Sequence, residues 1–164
     1  MKTIRPCPLT TLLLALLTTT IHIFAARETT APPEFGSSRT LVDLILAAFP
    51  GPSQATVEAI DYPAAGLTLD EYAASVTAGI AAVVDQTGAF AARCPGSVIV
   101  MHGYSQFAAR PVGFQCPEFG DRIQSYCDAP DPFCSDGDDP DTHQGYGQEF
   151  GQQALEFVIS KVGL

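Results

Sequence analysis

Three side chains able to carry out nucleophilic acyl transfer lie in order along the chain: Ser105, Asp131 and His143. His102-Gly103-Tyr104-Ser105-Gln106 directly follows the apolar run Ser97–Met101. A serine in a sharp turn at the carboxyl end of a buried strand exposes its hydroxyl, and the next backbone N–H can face a developing oxyanion. The G-x-S-x-G pattern of such an elbow is incomplete here, because Phe107 stands where the second glycine belongs. An ordinary serine in a polar turn is the plainer alternative. Asp131 lies between Cys127 and Cys134, seven positions apart, which could close a small loop and hold the aspartate rigidly. Of the three histidines, His22 sits in a strand-like run and His102 in a second one. His143 alone falls in a loop, which makes it the one good candidate base rather than only a solvated loop histidine. The acidic stretch Asp128–Asp141 fails calcium-loop spacing, since position six after Asp136 is Asp141 rather than glycine and position twelve is Gly147.

The elements that must position these groups belong to one domain. The chain has 164 residues, 46% of them hydrophobic and 16% charged, which excludes a disordered polyelectrolyte. Eight Lys and Arg against 18 Asp and Glu give a net charge of −10. Nucleic acid and an anionic membrane surface are therefore poor partners, whereas a neutral, glycan-like substrate suits the charge. The chain contains no Asn, hence no N-glycosylation acceptor.

Lys2 and Arg5 precede the apolar stretch Leu9–Leu17 and the threonines Thr18–Thr20, the layout of a secretory signal. A membrane anchor would need about 20 mostly apolar residues. The expected division is a signal over residues 1–20, with cleavage between 20 and 26, and a single domain over 21–164. Secretion makes the five cysteines disulfide candidates.

Ile21–Phe24 reads as a short strand, and the following segment to Gly36 as a loop. Ser37 or Ser38 is placed to cap a helix whose apolar face is Leu41, Leu44, Ile45 and Ala48. Ala55–Ile60 reads as a strand. A long Ala-rich helix starts at Thr68 or Asp70 and runs to about Val84, with Gly88 loosening its end. Ser97–Met101 reads as a strand covered on both faces, Arg122–Tyr126 as a weaker strand, and Gln148–Val162 as a final helix. This alternation predicts an α/β fold with a mostly parallel sheet. The order Ser, Asp, His is the triad order of α/β-hydrolases.

With these residues in view, the chain resembles the fungal cutinases and acetylxylan esterases, a compact α/β-hydrolase family. The resemblance rests on IHIFAARETTAPP, FGSSRTLV, VEAIDYPA, CPGSVIVMHGYSQ, RPVGFQCP, SYCDAPDPFC and THQGYGQEFGQQALEFV. ARETT and THQGYG look closer to the acetylxylan esterases. It implies a mostly parallel sheet flanked by helices on both faces, with Ser105 as nucleophile, Asp131 as triad acid and His143 as base. It further implies that Thr29 and Gln106 form the oxyanion hole and that Cys127 pairs with Cys134. The implied protein is a secreted, monomeric serine esterase on acetylated xylan, or alternatively on cutin polyester, that needs no cofactor.

The chain also departs from that pattern. The family continues after GYSQ with a helix, a further core strand and a loop before the segment matched by RPVGFQCP. Here Gln106 runs almost directly into Phe107-Ala-Ala-Arg-Pro111. Missing cysteines elsewhere leave Cys94 and Cys116 without their family partners, with Cys7 in the leader. One core strand is therefore expected to be absent. Closing the sheet over it would move Asp131 and His143 by about 4.8 Å, the spacing of neighbouring strands. A catalytically silent shortened remnant, or a glycan-binding module, is the alternative reading from a different class.

Overall fold

The structure is a computed structural model that describes residues 20–107 and 116–162. The proposed leader, Pro111 and the start of the RPVGFQCP segment lie outside the described residues, as does the side chain of Phe107.

Three parallel strands form the sheet in the order β2-β1-β3: β1 is Ile21–Ala26, β2 Ala55–Ala59 and β3 Val98–Gly103. β1 is central, with Ile21 opposite Ala55 on one side and Val98 on the other. All six of its residues are buried, as expected of a parallel strand covered on both faces. Their alternation feeds two cores. Ile21, Ile23 and Ala25 pack with helix α1 (Arg39–Ala48) and helix α4 (Gly151–Val162) through Leu41, Val42, Ile45, Leu155 and Val158. Phe24 and Ala26 pack on the other face with Ile60, Tyr62 and Phe90, the last from helix α2 (Leu69–Arg93). The α/β fold with helices on both faces of a parallel sheet is as the sequence led us to expect.

Several elements differ from expectation, each for a physical reason. Ser38 holds the N-cap position of α1 but does not cap it: its hydroxyl donates instead to the Ala26 carbonyl over 2.7 Å, tying the helix to the end of β1. Ser37 binds the Glu28 carboxylate through both its N–H and its hydroxyl. α2 starts as expected, with Thr68 and Glu71 in a reciprocal capping box. It continues past Gly88 to Arg93, because Phe90 is buried in the core and anchors the last turns. The final helix is two helices, α3 (Thr142–Glu149) and α4, broken at Phe150. Gly147 and Gly151 let these helices approach α1, where an added Cβ would lie 3.0 Å from Thr40 and 3.1 Å from Leu44.

Two corrections concern the far side of the sheet. Arg122–Tyr126 is not a strand: Pro117–Arg122 forms 3-10 turns and irregular chain follows. A strand needs a ladder partner, and among the described residues none lies beside it. β3 is likewise not covered on both faces. Its residues are half-buried and Met101 is 47% exposed, because β3 is the sheet's edge among the described residues. Among the described residues the sheet has three strands, and none closes over the far side of β3.

Candidate active site

Ser105 follows β3 after Tyr104 and opens a single 3-10 turn. Its φ is +54°, the left-handed region that a non-glycine residue enters at a cost of about 1–2 kcal/mol. The strand-to-turn corner anticipated from the sequence is present. Its neighbours brace it. The buried Gln106 side chain donates to the Ala65 carbonyl and accepts from the Ser75 hydroxyl, spanning the turn, α2 and the 64–66 segment. Tyr104 donates its hydroxyl to the His143 carbonyl over 2.5 Å.

Thr29 sits in the loop after β1. Thr30 and Ala64 both have positive φ, and the Thr30 N–H donates to the Ala64 carbonyl over 2.7 Å. Thr29 abuts Gly66, where an added Cβ would fall 2.4 Å from its methyl. Thr29 and Gln106 thus flank the same short segment, Ala64–Gly66. Arg27 holds this loop from beneath, donating to the carbonyls of Ala31 and Tyr62 while Tyr62 donates back to the Arg27 carbonyl.

Asp131 and His143 are joined. Asp131 is fully buried and its Oδ2 lies 2.7 Å from His143 Nδ1. Oδ2 also accepts from the Tyr146 hydroxyl over 2.7 Å, and Oδ1 accepts from the Phe133 N–H over 2.7 Å. Burial pushes the carboxyl up, but the hydrogen bonds from His143, Tyr146 and the Phe133 N–H outweigh it and leave Asp131 below its usual value. The Cys127–Cys134 disulfide closes the loop around this aspartate, as anticipated. Cys94 is also disulfide-bonded, whereas Cys116 is a free thiol.

His143 lies in the first turn of α3 rather than in an open loop, and it is buried. The rings of Phe133, Tyr104 and Tyr146 surround it at centroid distances of 4.6, 5.8 and 6.0 Å. Since the Asp131 carboxylate can only accept, Nδ1 carries the proton and Nε2 offers a lone pair. Nε2 is buried and has no hydrogen-bond partner among the described residues. A hydrogen bond from Ser105 to His143 is therefore not formed in this structure, although Tyr104 ties the serine's corner to the histidine's backbone. Such bonds are often open before substrate arrives. Among the described residues no group of His, Cys, Asp and Glu side chains could hold a metal ion.

Sequence reasoning passed over Tyr104, Phe133 and Tyr146. Tyr146 was the most findable, three residues after His143 and hence on the same helical face.

A family model described as Cutinase matches residues 17–110 and 108–162. The chain belongs to the cutinase family. Acetylxylan esterase 2 of Talaromyces purpureogenus is 37% identical over a 207-residue alignment that covers 87% of each chain. Cutinase 11 of Verticillium dahliae is 36% identical, over 87% of this chain and 68% of its own length. An acetylxylan esterase solved at 0.90 Å resolution superposes with a TM-score of 0.80 at 37% identity, over 88% of this chain and 99% of that one. The 207-residue alignment is longer than this 164-residue member, so the relative contains residues that have no counterpart here. The two matched segments meet at residues 108–110, where the sequence showed the shortening. Cutinase-family proteins such as these relatives are carboxylic ester hydrolases, and this member is an enzyme of that class.

Proposed function

We propose that this cutinase-family member is a secreted serine esterase that removes acetyl groups from plant cell-wall polysaccharide. The observation that carries the reading is the buried Asp131–His143 pair, 2.7 Å apart, with Nε2 unpartnered and the Ser105 corner tethered beside it through Tyr104. His143 takes the proton of Ser105 as its hydroxyl oxygen attacks the acyl carbonyl. The tetrahedral oxyanion is met by the N–H of Gln106 and by Thr29. Collapse breaks the bond to the sugar oxygen, which takes the proton back from His143 and leaves as the hydroxyl. Water, deprotonated by His143, then releases acetate, while Asp131 keeps Nδ1 protonated and stabilises the imidazolium. The Gln106 side chain is taken up bridging Ser75 and Ala65, so the oxyanion role falls to its backbone N–H.

The acetyl specificity rests on the relatives named acetylxylan esterase, and the net charge of −10 suits a neutral glycan carrying the ester. The basic and apolar leader, which ends where β1 begins, supports export. The test is acetate release from acetylated xylan by the full chain beside its Ser105→Ala variant, with a long-chain p-nitrophenyl ester as comparison. Ser105-dependent acetate release with slow turnover of the long-chain ester supports the proposal. Faster turnover of the long-chain ester would move the substrate class to cutin-like polyester. No Ser105-dependent hydrolysis of either would make this chain a silent remnant.

A further inference from the structure

We infer that Tyr146 is a positioning residue for the triad acid: its hydroxyl, held by the Asp128 N–H, donates to Asp131 Oδ2 and aims that oxygen at His143. The inference rests on the triad reading above.

The hydrogen bonds around Tyr146 leave little choice of direction. The Asp128 N–H, 2.9 Å from the phenolic oxygen, can only donate. The Asp131 carboxylate, 2.7 Å from it, can only accept. The hydroxyl therefore receives from Asp128 and gives to Asp131. Burial, and the nearby carboxylates of Asp131 and Asp128 against the Asp128 N–H, leave the phenol pushed up to about 12, so it stays a donor across the working range.

His143 and Tyr146 leave the same face of α3 and converge on one oxygen, Oδ2, both at 2.7 Å. The Phe133 N–H takes the other oxygen. Cys134 Sγ lies 3.3 Å from Oδ2 and 3.4 Å from the Tyr146 oxygen, but a disulfide sulfur has no hydrogen to donate, so these are contacts only. The groups facing Asp131 are thus His143 and Tyr146 from α3, Tyr104 from the end of β3 and Asp128 from its own loop. Without the Tyr146 hydroxyl, Oδ2 keeps one donor, the carboxylate is freer to turn about its last torsion, and the Asp128 N–H loses its acceptor.

The experiment compares the full chain with Tyr146→Phe and Ser105→Ala. It reads kcat and KM on p-nitrophenyl acetate, and the titration of the Asp131 carboxyl by carbon-13 NMR. A charge-assisted hydrogen bond of this kind is worth about a tenfold effect or more. The expected result is kcat down about tenfold or more in Tyr146→Phe, KM unchanged, and Asp131 titrating at higher pH. A residue that only braced the loop would leave the Asp131 titration where it was. Equal kcat and an unmoved Asp131 titration, in a chain whose activity depends on Ser105, would overturn the inference and leave the triad reading intact. Absence of Ser105-dependent turnover in the parent chain would overturn the triad reading. The Asp131 titration then decides on Tyr146 alone, and an unmoved value rejects the positioning role. If Tyr146→Phe does not fold, 3-fluorotyrosine at position 146 keeps the ring and makes the hydroxyl a stronger donor. Asp131 is then expected to titrate at lower pH, and no movement rejects the inference.

Discussion

The hydroxyl of Tyr104 reaches the main-chain carbonyl of His143 across 2.5 Å. This bond joins the end of β3, which carries Ser105, to the first turn of α3, which carries the base. It lies on the side of the sheet where β3 is the edge among the described residues. Both tyrosine and histidine are buried, so the bond lies out of water.

Tyr104→Phe is therefore expected to lower stability by about 0.5–1.5 kcal/mol and to lower kcat, since the corner and the base lose their direct tie. Urea unfolding midpoints and p-nitrophenyl acetate kinetics check both. A variant with unchanged kcat would show that the tie is unrelated to the site.

A second test addresses the loop around Asp131. A Cβ at Gly137 would fall 1.9 Å from the Pro130 carbonyl oxygen, and that backbone leads directly into Asp131. The same carbonyl accepts from the Asp139 N–H over 2.9 Å. Overpacking of this kind costs about 1–3 kcal/mol, and moving a catalytic group by about 1 Å costs around a hundredfold in rate. Gly137→Ala is expected to lose activity on that scale. Gly145→Ala, two residues after His143 with nothing within 4 Å of an added Cβ, is the control and is expected to retain it.

Acid should weaken the fold in two stages. Burial lowers His22 from 6.5 to about 4, with Glu58 opposing and Arg93 assisting, and burial lowers His102 likewise to about 4. Below 6.5 the unfolded chain binds protons that the folded chain refuses until about 4. The stability held in these neutral histidines is complete above 6.5 and is lost as the pH falls from 6.5 to 4. Asp131, held below 3.8, contributes stability present above 3.8 and lost below it. Urea midpoints recorded from pH 7.5 to 3 should fall through the first window and again below it. A midpoint constant between pH 7 and 4 would contradict the histidine stage.

The position of β1 sets a limit on leader removal. Ile21–Ala26 is the central strand and every residue in it is buried. Cleavage after Ala25 or Ala26 would remove the strand that both neighbours pair with. If the leader is removed as proposed, amino-terminal sequencing of the processed protein is expected to begin no later than Ile21, and a start at residue 26 or 27 would contradict this reading.

The buried parts of the fold were legible because hydrophobic pattern and caps act locally. The i, i+3, i+4 spacing of Leu41, Leu44 and Ile45 marked α1, and Thr68 or Asp70 marked the start of α2. Arg122–Tyr126 misled because a strand is a property of a ladder, and among the described residues none lies beside it. Ser38 looked like a cap because its type is right, but the nearby Ala26 carbonyl takes its hydroxyl. Gly88 looked like a stop because glycine weakens a helix, but the buried Phe90 beyond it outweighs that cost. At the candidate site, the corner at Ser105 and the Asp131–His143 pair were legible from residue type and order. The tyrosines that brace them were not, because Tyr104 and Tyr146 act through contacts 39 and 15 residues away in sequence.

The central claim is that the shortened sheet still assembles a working triad. The most direct measurement is hydrolysis of p-nitrophenyl acetate by the full chain beside Ser105→Ala. Turnover that the substitution abolishes is expected. Equal, near-background rates in the two proteins would contradict it.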